Sequence, residues 1–145
     1  MLVEQFVATL QTQDVPWGEV RFREQFLHRS GRTDIVAVTG AGEIIAFEAK
    51  LTRWRDALHQ AYRNTCFAHS SYVLLPERVA LLAKQYVEEF ARRMVGLCCL
   101  TDDHVVVLLE APRTVPLQPW LTDRVLAYVD AGSLHDCGTV GIGST

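Results

Sequence analysis

The sequence predicts an α/β fold, a mixed β-sheet flanked by helices, and three observations carry that expectation. Two short β-rich runs, Asp34 to Val38 and Glu43 to Leu51, flank Gly40, Ala41 and Gly42 and read as a hairpin. Apolar residues recur at helical spacing in Met1 to Gln13, Arg53 to Ala68 and Glu77 to Met94. Between and after these lie the short apolar runs Ser71 to Leu75 and Gly96 to Leu100, which read as strands. The order is then helix, three strands, helix, strand, helix, strand.

Taken in order, Leu2, Val3, Phe6, Val7 and Leu10 line an amphipathic first helix that stops before Pro16. Trp17 to Leu27 reads as the first strand, with Val20, Phe22 and Glu24 alternating against Arg21 and Arg23. A turn at Ser30 and Gly31 feeds the hairpin. Thr52 is placed to cap the next helix, whose apolar side is Ala57, Leu58, Ala61 and Tyr62. After the Ser71–Leu75 strand and Pro76, the spacing of Val79, Leu82, Ala83, Tyr86, Val87 and Phe90 predicts one continuous helix. Beyond Leu100 come a turn at Thr101 to Asp103, a strand from His104 to Ala111, a loop punctuated by Pro112, Pro116 and Pro119, and a short helix near Leu121 to Val129. Residues 1–137 are expected to form one domain and the Gly-rich residues 138–145 a mobile tail.

At 145 residues, 49% hydrophobic and 21% charged, the chain is sized for a single core. No apolar run approaches the roughly 20 residues of a membrane helix, and the start lacks the basic region of a signal peptide. The expectation is a cytoplasmic protein with no membrane partner. Cys66, Cys98, Cys99 and Cys137 form no regular framework, so they are expected to be reduced thiols. His59, Cys66 and His69 fall near one helical face, but no C-x-x-C accompanies them as a zinc set would require. Gly141 to Ser144 follows no strand and opens no helix, so it is no phosphate loop, and a G-x-S-x-G is absent.

The hairpin carries the chemistry. If Thr39 and Glu43 close a three-residue loop, facing residues have a constant sum, which sets Asp34 opposite Glu48 with their Cβ atoms about 4.5 to 5.5 Å apart. Glu48 and Lys50 then share the face of Asp34, while Ile45, Phe47, Ala49 and Leu51 point the other way into a core. Two carboxylates held that close repel unless something positive sits between them, and a hard divalent cation with oxygen ligands meets that need. Mg²⁺ suits a site with two carboxylates and open positions for water and phosphate. Such a site polarises a phosphodiester and activates water, with Lys50 orienting that water or offsetting developing charge. The competing reading is a solvated sheet edge where Lys50 merely pairs with an acid. It is disfavoured because IVAV and IIAF are apolar enough to be central strands.

Asp34, thirteen intervening residues and then Glu48-Ala49-Lys50 resemble the motif of the PD-(D/E)XK, or restriction-endonuclease-like, nuclease superfamily, nearest to its Holliday-junction-resolvase-like and RecB-like members. The resemblance implies a restriction-endonuclease-like sheet with an αβββαβαβ core plus a C-terminal strand and helix. It also implies a Mg²⁺-dependent phosphodiesterase, with Mn²⁺ able to substitute, in which Asp34, Glu48 and the backbone carbonyl of Ala49 bind metal and Lys50 assists the nucleophile. Glu4, on the first helix, is placed to supplement the metal site as an acidic residue does in some members. Gln60 matches a RecB-like glutamine for active-site contact, whereas Tyr62 stands at the wrong spacing for the tyrosine that follows it there. Thr33 replaces the name-giving proline.

Net charge is −3 overall, yet the segment from Arg21 to Arg63 carries +3 and the remainder −6. Arg29, Arg32, Arg53, Arg55 and Arg63 are therefore candidates for holding a nucleic-acid backbone. The expectation is an endonuclease rather than an exonuclease, acting on DNA in preference to RNA, as a homodimer or a subunit of a larger nuclease complex. The alternatives are a catalytically inactive module of the same fold that binds nucleic acid or docks a partner, and a structural or interaction protein whose hairpin charges only pair.

Overall fold

Six strands form one mixed sheet in sequence order: β1 (Val20–His28), β2 (Gly31–Thr39), β3 (Ile44–Ala49), β4 (Ser70–Pro76), β5 (Gly96–Thr101) and β6 (His104–Leu109). In this computed structural model, residues 2–102 and 104–141 are described, the side chains of residues 133–141 excepted. Strands β1, β2 and β3 pair antiparallel in succession, β3, β4 and β5 run parallel, and β6 returns antiparallel. The α/β expectation thus holds.

Among the described residues, five helices cover the sheet: α1 (Leu2–Gln11), α2 (Trp54–Asn64), α3 (Glu77–Ala83), α4 (Val87–Arg92) and α5 (Pro119–Gly141). Under one face, Leu2, Phe6 and Leu10 of α1 pack on Ile35, Ala37, Ile45, Phe47 and Tyr72, with Trp17 edge-on to Phe47 at 5.0 Å. On the other face, Ala57, Leu58 and Ala61 of α2 join Val73, Leu75 and the apolar side of α3 and α4. Beside them Leu121, Val125 and Val129 of α5 cover Phe26, Val36, Val38, Ile44 and Ala46. The odd and even residues of β3 therefore serve different cores, as a strand period of two requires.

Several boundaries differ from expectation for local reasons. The single helix expected from Glu77 to Met94 is interrupted by a 3₁₀ turn at Lys84–Tyr86. Ala83 and Phe90 still face the sheet, while Leu82 is 57% exposed and Tyr86 meets the Trp54 ring at 5.2 Å. Thr52 does not cap α2; Arg53 holds that position with no side-chain capping hydrogen bond. Leu51 does not enter the core, because β3 ends at Ala49 and Leu51 is 61% exposed. The last helix runs on to Gly141, past the short span expected, and residues 142–145 of the expected tail lie outside the described residues. Gly96 is dictated by packing, since a Cβ there would fall 2.6 Å from both the Ala111 nitrogen and the Leu109 carbonyl oxygen.

Candidate functional site

The β2–β3 hairpin closes as the constant-sum register demands. Thr39 N–H donates to the Glu43 carbonyl at 2.9 Å, and Val38 faces Ile44, Ala37 Ile45, Val36 Ala46 and Ile35 Phe47. Continuing that register by one pair brings Asp34 to Glu48. The two carboxyl groups are neighbours, and the Asp34 charge raises the Glu48 carboxyl. Asp34 Oδ2 also accepts the Ala49 N–H at 2.9 Å, so the strands part here and a side chain takes the place of a ladder partner. Lys50, half-buried, follows directly, its own N–H bonded to the Leu74 carbonyl of β4.

Glu48 is 1% exposed, the only acid among the buried residues of the described chain. Burial, the largest cause, pushes its carboxyl up to about 8, and the neighbouring Asp34 charge pushes the same way. Opposing them is Asn64 at the end of α2, whose Nδ2 donates to Glu48 Oε2 at 2.8 Å. Asn64 Oδ1 in turn accepts from Thr33 Oγ1 at 2.8 Å, and Thr33 Oγ1 lies 2.9 Å from His28 Nε2. His28 is stacked on Phe26 at 5.5 Å and edge-on to Phe67 at 5.5 Å. Burial, then the charge of Arg124, hold its imidazole below the usual range.

A distortion in β1 makes this chain of side chains possible. Val20 and Phe22 belong to the α1 side of the sheet, yet Phe26 belongs to the α5 side, although strict alternation would keep all three together. The parity changes at Gln25, which has φ +62° and lies between the Glu24–Ile35 and Phe26–Thr33 pairs of the β1–β2 register. Thr33, opposite Phe26, shifts with it and presents its hydroxyl to α2.

No protein-family model matches the chain, and no curated protein does. Among solved structures, it is similar to the SPO1766 protein of unknown function from Silicibacter pomeroyi. The TM-score is 0.66 at 15% identity, over 96% of this chain and 88% of that one. The shared property is the fold.

The other sequence candidates are divided. Glu4 is exposed on α1, and among the described residues no three His, Cys, Asp or Glu side chains form a group that could hold a metal ion. Gln60 is half-buried one turn before Asn64 on α2. Tyr62, expected on the apolar side of that helix, is 51% exposed. Arg29, Arg32 and Arg63 are exposed, and the last two adjoin Thr33 and Asn64, whose side chains bond each other. Arg53 pairs with Asp56 at 2.9 Å. Arg55 makes a forked pair with Glu89, at 3.2 and 2.9 Å, and lies over the Trp54 ring at 4.2 Å. These last two arginines are thus engaged within the α2–α4 side of the molecule. His69 Nδ1 accepts the Ile44 N–H at 2.9 Å, so it serves the β3 start rather than a set with His59 and Cys66. Cys66, Cys98 and Cys99 are free thiols, while Cys137 falls among residues whose side chains are outside the description.

Asn64, Thr33, His28 and Arg124 were not among the sequence candidates. Asn64 did carry a signal: with Ala57 and Ala61 it continues the buried stripe at helical spacing, and a polar residue on such a stripe needs a polar partner. The donor set fits a hard divalent cation, since two neighbouring carboxylates at a strand end are hard oxygen ligands whose repulsion a cation or a shared proton relieves.

Proposed function

We propose that this protein is a Mg²⁺-dependent nuclease of restriction-endonuclease-like fold that hydrolyses phosphodiester bonds in DNA. The observation that carries the reading is the buried Glu48 carboxyl beside half-buried Asp34, whose charge raises it, immediately before Lys50. A purely structural role would more cheaply be filled by apolar residues, because leaving two acids together in a low-dielectric setting costs free energy unless a task maintains them. When bound, Mg²⁺ or Mn²⁺ supplies Lewis-acid polarisation of the phosphate and a more acidic water.

The chain's own residues supply the rest of this proposal. Asp34 and Glu48 hold the ion, with the Ala49 carbonyl as a third oxygen, and the Ala49 N–H fixes one Asp34 oxygen in place. Lys50 offsets negative charge on the phosphorane-like transition state, where a fixed cation acts more strongly than on the ground state. Arg29, Arg32 and Arg63, exposed near the same end of the sheet, hold the backbone of the strand being cut. Homodimer or larger-complex assembly belongs to the same proposal.

The test is incubation of the purified chain with single-stranded, duplex and branched DNA in Mg²⁺ or Mn²⁺. Cleavage is expected, abolished by chelator, Asp34→Ala or Glu48→Ala and reduced about 100-fold or more by Lys50→Ala. DNA affinity that survives chelator and both acid variants, with no cleavage of any substrate, would instead mark a binding module of this fold.

A further inference from the structure

We infer that Asn64, oriented by Thr33 and His28, is a positioning residue that selects which oxygen of Glu48 faces the metal position. The donors fix the direction of the chain. Thr33 gives its only hydroxyl proton to Asn64 Oδ1, so its oxygen must accept from His28 Nε2–H. Asn64 is held with its amide nitrogen toward Glu48, and once Glu48 is ionised, as a metal ligand is, the flipped amide would set Oδ1 against a carboxylate.

Every link donates toward Glu48. Its Oε2 accepts from Asn64, which leaves Oε1 as the oxygen this proposal assigns to the metal. The chain is also rigid: Thr33 is 0% exposed, Asn64 and Glu48 are each 1% exposed, and His28 is fixed between aromatic rings. Thr33 gains a specific purpose from this. A proline at its position could not bond Asn64, whereas the threonine hydroxyl ties the β1–β2 hairpin tip to the end of α2.

The inference rests on the metal-binding reading of the acid pair, so the experiment separates the two. Mn²⁺ binding to the metal-free full chain is measured by calorimetry for wild type, Thr33→Val, Thr33→Ser and Asn64→Leu. In parallel, the Asn64 side-chain amide is followed by ¹H–¹⁵N NMR in the absence of metal. Thr33→Val, which keeps shape and loses the hydroxyl, is expected to weaken Mn²⁺ about 10-fold, Asn64→Leu at least as much, and Thr33→Ser to restore wild-type affinity. The two amide protons are expected to move in Thr33→Val and Glu48→Gln and to stay in place in Thr33→Ser. Wild-type Mn²⁺ affinity in Thr33→Val overturns the positioning role while leaving the metal reading intact, even if Asn64→Leu fails to fold. If wild type itself binds no Mn²⁺, the metal reading falls and the selection of an oxygen for metal falls with it, whatever the amide signals show.

Discussion

Burial keeps a proton on Glu48 that an ordinary glutamate loses near pH 4.5, and it does so up to about pH 8. Between those values the folded chain holds one more proton than the unfolded chain. The associated stability is fully present below about 4.5 and is lost as pH rises through the folded value, at about 1.4 kcal/mol per pH unit. Thermal unfolding of the metal-free protein should therefore shift to lower temperature from pH 5 to 8, and Glu48→Gln, neutral throughout, should flatten that slope. An unchanged slope in Glu48→Gln would exclude Glu48 as its source. Added Mg²⁺ should oppose the loss most strongly at the alkaline end, because the cation competes with this proton. At this scale the sequence was informative about pairing and silent about what surrounds the pair. A constant-sum register needs only the loop length, so the meeting of Asp34 and Glu48 could be read in advance. Asn64 lies sixteen positions from Glu48 on a different element, and no local rule links a helix end to a strand end.

The bend in β1 is an element-scale device that residue patterns concealed. Val20, Phe22 and Glu24 read as regular alternation, but Gln25 adopts φ +62° and moves Phe26 to the opposite core. Helix α5 holds the bend: Tyr128 Oη donates to the Glu24 carbonyl and, at 3.1 Å, to the Gln25 carbonyl. Arg23 closes the clamp, donating to the Tyr128 carbonyl at 2.9 Å with its guanidinium 4.1 Å above the ring. A left-handed conformation costs a non-glycine residue about 1 kcal/mol, and Gln25 is exposed, so little side-chain packing offsets that cost. Gln25→Gly should accordingly stabilise the protein by up to about 1 kcal/mol in urea unfolding and leave Mn²⁺ affinity unaltered. Marked destabilisation would mean that the Gln25 side chain, rather than the clamp, maintains the bend. The same reasoning explains why the break between α3 and α4 was hidden. A 3₁₀ turn changes helical phase by a fraction of a turn, and the apolar residues on either side still fit one averaged helical pattern.

For the whole molecule, the mixed sheet and its helical cover were legible because alternating strand and helix periods force a layered arrangement. Which arginines remain available to a polyanion was not. Composition counted Arg53 and Arg55 with the rest, but Arg53 pairs with Asp56 three residues on, and the fold brings the distant Glu89 to Arg55. The exposed guanidinium groups of Arg29, Arg32 and Arg63 remain, on the hairpin tip and the α2 end that the Thr33–Asn64 bond joins. Fluorescence anisotropy with duplex DNA across a salt series separates these sets. If Arg32 and Arg63 each contact a phosphate, replacing either by alanine should weaken binding and reduce the slope of log affinity against log salt by about 1. Arg55→Ala should leave that slope unchanged and lower thermal stability instead, because it removes a forked ion pair and a cation stacked on Trp54. A slope that responds to Arg55 but not to Arg32 or Arg63 would move the nucleic-acid face to the α2–α4 side, away from Asp34 and Glu48, and would detach DNA binding from the proposed cleavage site.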